Sequence, residues 1–367
     1  MVEDSGGFFV IFVKICDKST LFHTKYQRYL CKQKKITTFV AIKKVMADIN
    51  FSIVIPLYNK QSAIVATLQS VLAQTYTNYE IIVVDDGSTD GSADIAETIL
   101  QECTVYGVDC KGKVIRKANG GVCSARNRGI QEAKYDYVAL LDGDDLWDEH
   151  YLEEQVKFIQ DFPEAKMWGV SIAFIKHNCQ TKWEQGMGDS YRGYVENYFG
   201  TSHNDLFCSS SVVICKEVFG MVGCFDERIA SSEDLDMWYR IILHYPVAFY
   251  DKVLAYYNQD AENRVAYDTD VRFPLTKDIK YYFDKHNKEF DINPIFSRFI
   301  NDYVAASLLK DGYYFGTKQE RIDSDVIVAK LRYQDIHPKY RWIFKTPRCI
   351  GWVVYQLVNL KKNLLKR

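Results

Sequence analysis

From Phe51 onward the chain alternates short, unbroken apolar runs with stretches whose apolar residues recur at helical spacing. Ser52–Pro56 (SIVIP) and Glu80–Val84 (EIIVV) are apolar throughout, the pattern of strands covered on both faces. Lys113–Arg116 is a weaker third strand, and Tyr137–Leu141 (YVALL) a fourth. Between them, Ala63–Leu72, a segment from Asp90 or Ser92 to about Glu102, and Ser124–Ala133 predict helices, the second capped by Asp90 or Ser92. Strand and helix in alternation predict an α/β fold: a Rossmann-like, doubly wound, mostly parallel sheet with right-handed crossovers. Further on, Met167–Ile175 and Ser209–Cys215 predict strands and Ser232–His244 an amphipathic helix. Beyond about Tyr250 the pattern predicts an appended helical region, with aromatic clusters at Tyr281-Tyr282-Phe283 and Tyr313-Tyr314-Phe315.

Polar residues stand where such a sheet places its ligand crevice, just beyond the C-terminal ends of strands. Tyr58 and Asn59 follow the first strand, Asp85 and Asp86 the second, and Asp142 to Asp145 the fourth.

Composition narrows the class. With 367 residues, 47% hydrophobic and 26% charged, the chain is neither disordered nor fibrous. A formal net charge of −2 gives no overall attraction to nucleic acid, and none is expected as a partner. The 26 Tyr and 21 Phe fit a core better than a carbohydrate-binding surface. Ten cysteines without a C-x-x-C pair read as reduced, buried hydrophobes, which predicts a cytoplasmic location. The apolar run Phe8–Cys16 is too short to span a bilayer, is broken by Lys14 and lacks the features of a signal peptide. Residues 1–45 are expected to be a loose or non-native extension. Residues 46–260 are expected to form the α/β domain, in two halves at 50–148 and 149–260, and 261–367 the helical region.

Four motifs carry chemistry. Asp142-Gly143-Asp144-Asp145 sets three carboxylates within four residues at a strand end; either a cation neutralises them or they form a solvated, capped turn. Gly143 leaves room for a ligand close to the backbone, and hard cations such as Mg²⁺ join carboxylates to phosphates. In Asp85-Asp86-Gly87-Ser88, Asp86 is the candidate for a base or ribose and Asp90 the helix cap. Gly120-Gly121 opens a helix carrying Arg126, so backbone N–H groups and a guanidinium are expected to face phosphate. No Gly-Lys-Ser/Thr follows, which excludes a P-loop, and the first strand lacks Gly-x-Gly-x-x-Gly. Glu233-Asp234 after Ser232 is either the acidic first turn of a helix capped by Ser232 or a general base.

Together FSIVIPLYN (51–59), VVDDGSTDGS (83–92), GGVCSARNRG (120–129), LLDGDDLW (140–147) and SEDLDMW (232–238) resemble the family 2 glycosyltransferases of GT-A fold. The resemblance covers about residues 50–257. It implies a single sugar transferred, with inversion, from a nucleotide-diphosphate sugar to a hydroxyl of a glycan or lipid-linked acceptor in cell-surface polysaccharide synthesis. UDP is the default nucleotide, and the sugar a hexose or N-acetylhexosamine. It assigns Pro56, Tyr58, Asn59, Asp85 and Asp86, with Gly121 and Arg126, to the donor. The D-x-D element falls on Asp142 and Asp144, with Asp145 beside them, holding Mg²⁺ or Mn²⁺ across the diphosphate. Asp234, paired with Glu233, is the implied base. Processive members carry Gln-x-x-Arg-Trp; Arg341-Trp342 here follows Pro338 at the Gln position, which implies single addition. The alternatives are a non-catalytic nucleotide-sugar binding module and a sugar nucleotidyltransferase. The first would be expected to lose its carboxylates, and the second to open on a Gly-rich basic loop.

No acidic residue follows Asp335, while Lys345, Arg348, Lys361, Lys362, Lys366 and Arg367 alternate with Trp342, Phe344, Trp352 and Tyr355. Such a tail either docks on the domain or lies peripherally on the inner face of the plasma membrane.

Overall fold

The computed structural model describes residues 49–105, 111–177, 179–200, 206–229, 232–261, 285, 293–311, 313, 318–332, 334–347, 350 and 352. The chain divides into two units, Met1–Asp48 and Ile49–Arg367, and every described residue belongs to the second. The extension read at 1–45 therefore lies outside the described residues, as do Tyr281-Tyr282-Phe283 and the tail from 353.

Strand β1 (Phe51–Leu57) is buried along its whole length. It pairs in parallel with β2 (Tyr79–Asp85) on one side and β4 (Tyr137–Leu140) on the other, and β3 (Lys111–Arg116) extends the sheet beyond β2. The crossovers are α1 (Ile64–Leu72), α2 (Ser92–Val105) and α3 (Val122–Glu132). Alternation along β1 explains its apolar sequence. Ile53 and Ile55 face a core with Ile64 and Leu68 of α1 and Leu100 of α2. Val54 faces the opposite core, with Ala125 and Ile130 of α3. A strand covered on both faces tolerates no polar face.

The chain next forms β5 (Leu146–Trp147), α4 (Tyr151–Asp161), β6 (Met167–Lys176), β7 (Cys179–Lys182), β8 (Arg192–Tyr194), β9 (Val212–Cys215), α5 (Val218–Val222), α6 (Glu233–His244) and β10 (Val247–Asn258). The sheet order is β3-β2-β1-β4-β9-β6-β10-β5, with β7 on β6 and β8 on β10. β9 lies antiparallel between β4 and β6, so the parallel first half continues into a mixed second half.

Three local readings need correction. Ser209–Ser211 is a 3₁₀ turn and only Val212–Cys215 is strand. Leu146–Trp147, read as part of a turn, is a short strand paired with β10, and α4 follows at Tyr151. Residues 250–258, expected to be helical, complete β10. The register of β10 on β6 shifts between Tyr250 and Val253 and again before Ala255. A bulge of this kind breaks the two-residue period by which a strand is recognised in sequence.

The helical region is present as α7 (Pro294–Asp311), α8 (Lys318–Lys330) and α9 (Pro338–Lys345). Phe296 and Phe299 of α7 pack edge-on against Phe199 and Tyr239, with centroids 4.7 and 5.2 Å apart. Tyr313 packs on Phe344 of α9. These aromatics fill a core, as their abundance suggested, and anchor the region onto α6. No helix among the described residues is long and apolar enough to cross a membrane.

Candidate active site

The sheet runs β1 to β2 to β3 in one direction and then places β4 on the other side of β1. The crevice beyond the ends of β1 and β4 is thus a topological switch point, where open α/β sheets bind ligands. Gly143 sits at that crossing. A Cβ there would lie 2.9 Å from the carbonyl oxygen of Pro56, so only glycine lets the Asp142–Asp145 turn approach the end of β1.

The loop after β1 is clamped to the loop after β2. Asn59, in the left-handed region at φ 50°, receives the Thr89 N–H at Oδ1 (2.8 Å) and donates its own N–H to Ser88 Oγ (3.0 Å). Asp90 accepts from the Gln61 N–H and from both the N–H and hydroxyl of Ser92, which secures the start of α2. Tyr58 is 45% exposed on this rim.

Asp85 and Asp86 are both buried, with different partners. Asp85 accepts the Ser88 N–H and builds its own turn. Asp86 reaches across to the loop before α3, accepting from the N–H groups of Gly120 (3.0 Å) and Gly121 (2.7 Å) and from Lys117 Nζ (2.5 Å). The Gly-Gly segment does bind an anion at a helix start, but that anion is Asp86 itself. The expectation that the Gly121 N–H faces phosphate is corrected accordingly.

The acidic turn separates its members. Asp145 is 1% exposed and accepts from the Ser210 hydroxyl (2.5 Å) and the Asn258 N–H (3.1 Å), so both oxygens are turned into the protein. Burial, reinforced by Asp144 and Asp142, holds its carboxyl well above the usual range. It anchors the turn and is not directed at a ligand, contrary to its assignment beside the metal. Asp144 and Asp142 keep 15% and 25% side-chain exposure and are each paired with a cation: Lys60 Nζ lies 2.6 Å from Asp144 and Arg126 2.8 Å from Asp142.

Arg126 is the centre of the site. It is buried, its guanidinium lies 5.4 Å from the Phe225 ring centroid, and its Nη atoms donate to Asp142 Oδ1 and Glu233 Oε1, both at 2.8 Å. Burial works against the charge, but Asp142 and Glu233 outweigh it and raise the guanidinium's pKa above its ordinary value. Arg126 thus joins the end of β4 to the start of α6 and does not stand open to a phosphate, as the sequence had suggested.

Helix α6 begins at Ser232, which is left-handed (φ 61°) and makes no side-chain cap, against expectation. Asp234 instead accepts the N–H of Leu235. It is partly buried, and loss of water followed by repulsion from Glu233, partly relieved by Arg126, pushes its carboxyl up to about 7. That value suits a base at neutral pH. Two residues on, buried Asp236 pairs with Arg240 and Lys285, which lock the helix start from behind.

Lys60, Lys117, Ser210 and Lys285 were not singled out from sequence. Each meets its partner through the fold, and no local pattern flags it. Among the described residues no group of three or more acidic, His or Cys side chains converges to hold a metal. Asp142 and Asp144, on one turn and partly exposed, fit a hard cation whose other ligands are phosphate oxygens and water.

Residues 52–219 match the family model described as Glycosyl transferase family 2. AmsB of Erwinia amylovora, an amylovoran biosynthesis glycosyltransferase, is 28% identical over 60% of this chain and 76% of its own length. GlyG of Streptococcus pneumoniae is 37% identical over 30% of this chain and 35% of its own. Three uncharacterised Rickettsia glycosyltransferases are 29%, 30% and 39% identical, and the chain spans only 39%, 33% and 27% of their respective lengths. In fold the chain is similar to S. aureus TarS 1-349 in complex with UDP-GlcNAc, at TM-score 0.63 and 18% identity over 80% of this chain and 86% of that one. With its motifs lying in order along a GT-A-like sheet, the chain is similar, through residues 52–219, to glycosyl transferase family 2.

Proposed function

We propose that the protein is a metal-dependent, inverting glycosyltransferase that moves one sugar from a UDP-sugar to a hydroxyl of a glycan or lipid-linked acceptor in cell-surface polysaccharide synthesis. The observation that carries this is the convergence, through Arg126, of the partly exposed acidic turn and the Glu233–Asp234 pair. One side chain thereby joins the proposed leaving-group turn to Glu233, the neighbour of the proposed base. The printed function of AmsB supports the polysaccharide context, and the ligand of TarS supports a UDP-sugar.

Asp142 and Asp144 would hold Mg²⁺ or Mn²⁺, which neutralises charge developing on the departing diphosphate when bound. Asp234 takes the proton of the attacking hydroxyl while its oxygen forms the new bond to the anomeric carbon. The bond from that carbon to the diphosphate oxygen breaks, and its electron pair leaves with UDP. Asp86 and the rim around Tyr58 would orient the nucleoside.

The test is a panel of UDP-sugars, each assayed for UDP release with Mn²⁺ and with chelator. Metal-dependent UDP release, lost in Asp234→Asn, is expected. Donor binding without turnover would favour the binding-module alternative, and pyrophosphate exchange a nucleotidyltransferase.

Location at the inner face of the membrane belongs to the same proposal. Trp342, Ile350 and Trp352 are exposed at the start of the basic C-terminal stretch. Sedimentation with anionic vesicles, against a truncation after Asp335, tests it; equal partitioning rejects it.

A further inference from the structure

We infer that Lys60 is a resident counter-ion of the donor site, one that competes with the divalent cation for Asp144 and passes to the diphosphate when the donor arrives. The inference rests on the metal-dependent reading above and adds a residue that reading does not use. Lys60 is held at the rim by its backbone, whose N–H donates to Ser92 Oγ (2.8 Å), directly after the clamped Asn59. Its ammonium lies 2.6 Å from Asp144 Oδ2, with side-chain exposures of 14% and 15%. Arg126 plays the matching part at Asp142, but it is buried between two carboxylates and is fixed there.

A cation on either oxygen of Asp144 stands close to the ammonium held at Oδ2, and the repulsion between the two charges sets them in competition for the one carboxylate. Lysine suits exchange: it is a point charge on a flexible four-carbon stem, with no fork geometry to lose. Once displaced, the ammonium remains on the rim where a diphosphate bound to the same cation brings its charged oxygens. Lys60 therefore opposes metal binding when the donor is absent and favours the donor when metal is present. In the second state it touches substrate and is a catalytic residue.

The two effects have opposite signs, which makes the inference easy to overturn. Lys60→Met keeps the stem and removes the charge. Calorimetry of Mn²⁺ alone with the full chain is expected to show tighter binding in the variant, by about five- to tenfold for one partly exposed charge. Calorimetry of UDP at saturating Mn²⁺ is expected to show weaker binding, by about tenfold. Unchanged or weaker Mn²⁺ affinity, or unchanged UDP affinity, overturns the inference. Lys60→Arg should restore UDP binding in large part, and its thermal midpoint should match wild type. If wild type binds UDP equally well with and without Mn²⁺, the metal-dependent reading itself has failed, and this inference falls with it.

Discussion

Asp142, at the end of β4, and Glu233, at the start of α6, are held by the two ends of one buried guanidinium, each 2.8 Å from Arg126. The turn that would grip the leaving group and the helix that carries the proposed base are therefore aligned by a single side chain. Its removal leaves two partly buried carboxylates without the cation they share.

Arg126→Ala is accordingly expected to cost about 3–5 kcal/mol of stability, the penalty for breaking a buried pair from one side. Arg126→Lys keeps the charge but cannot bridge both partners with a fork, so it should fall between wild type and alanine. Urea unfolding reads both. Because the lysine variant still folds, it should lose kcat while donor KM changes little. A large rise in donor KM with kcat preserved would mean that Arg126 contacts phosphate after all.

Asp234 supplies a pH signature. Its carboxyl is pushed up to about 7 by desolvation and Glu233, so the ionised base is populated only as pH rises through that value. Transfer at saturating donor should rise with pH across the range about 6–8 and then level off. Asp234→Asn should lower kcat by about 10²–10⁴ and abolish this limb. Stability runs the other way. The folded pKa exceeds the ordinary 3.8, so this group's contribution is fully present below about 4 and is lost as pH rises through about 7. The asparagine variant should show a correspondingly flatter dependence of unfolding free energy on pH in that window.

Asp86 sets a third expectation. It receives two backbone N–H groups and Lys117, and so fastens the loop before α3 to the end of β2. Asp86→Ala leaves those donors without their acceptor, at about 1–3 kcal/mol, and should raise donor KM about tenfold or more. Asp86→Asn retains an acceptor oxygen but loses the ion pair and should be milder in stability. Denaturant unfolding beside donor titrations separates the loop from the ligand effect.

The strand ends were legible because buried parallel strands are written as unbroken apolar runs, and the polar residues that follow them stand out. Asp142 and Asp144 were singled out that way, and Asp234 as part of the acidic first turn after Ser232. Their partners were not: Lys60 meets Asp144 and Lys117 meets Asp86 only through sheet order, and charged residues of this type are common on any surface. Gly121 and Arg126 were misread for a physical reason. A Gly-Gly helix opening beside an arginine has the chemistry of an anion site, and the pattern cannot say whether the anion is a ligand or the protein's own carboxylate. β10 was missed beyond Tyr250 because its bulge hides the alternation.

Gly129 gives a final prediction that ties packing to the site. It lies in α3, and a Cβ there would come within 2.2 Å of Val54 Cγ1 in β1. Val54 is fully buried in a core with Ile82, Leu140 and Ala125, and its branched side chain is stiff at χ1, so it has little room to yield. Gly129→Ala should therefore push α3 off the sheet and cost about 1–3 kcal/mol, even though alanine favours helix. The damage should reach function, because the same helix carries Arg126. A small shift of α3 moves the guanidinium away from Asp142 or Glu233, and kcat should fall with stability. Val54→Ala alone opens a cavity, but in the Gly129→Ala background it makes room for the new methyl. The double variant should thus be more stable than the sum of the single changes allows, and part of kcat should return. Unfolding and turnover of all four proteins read this cycle; strictly additive losses would show that α3 does not seat through that contact.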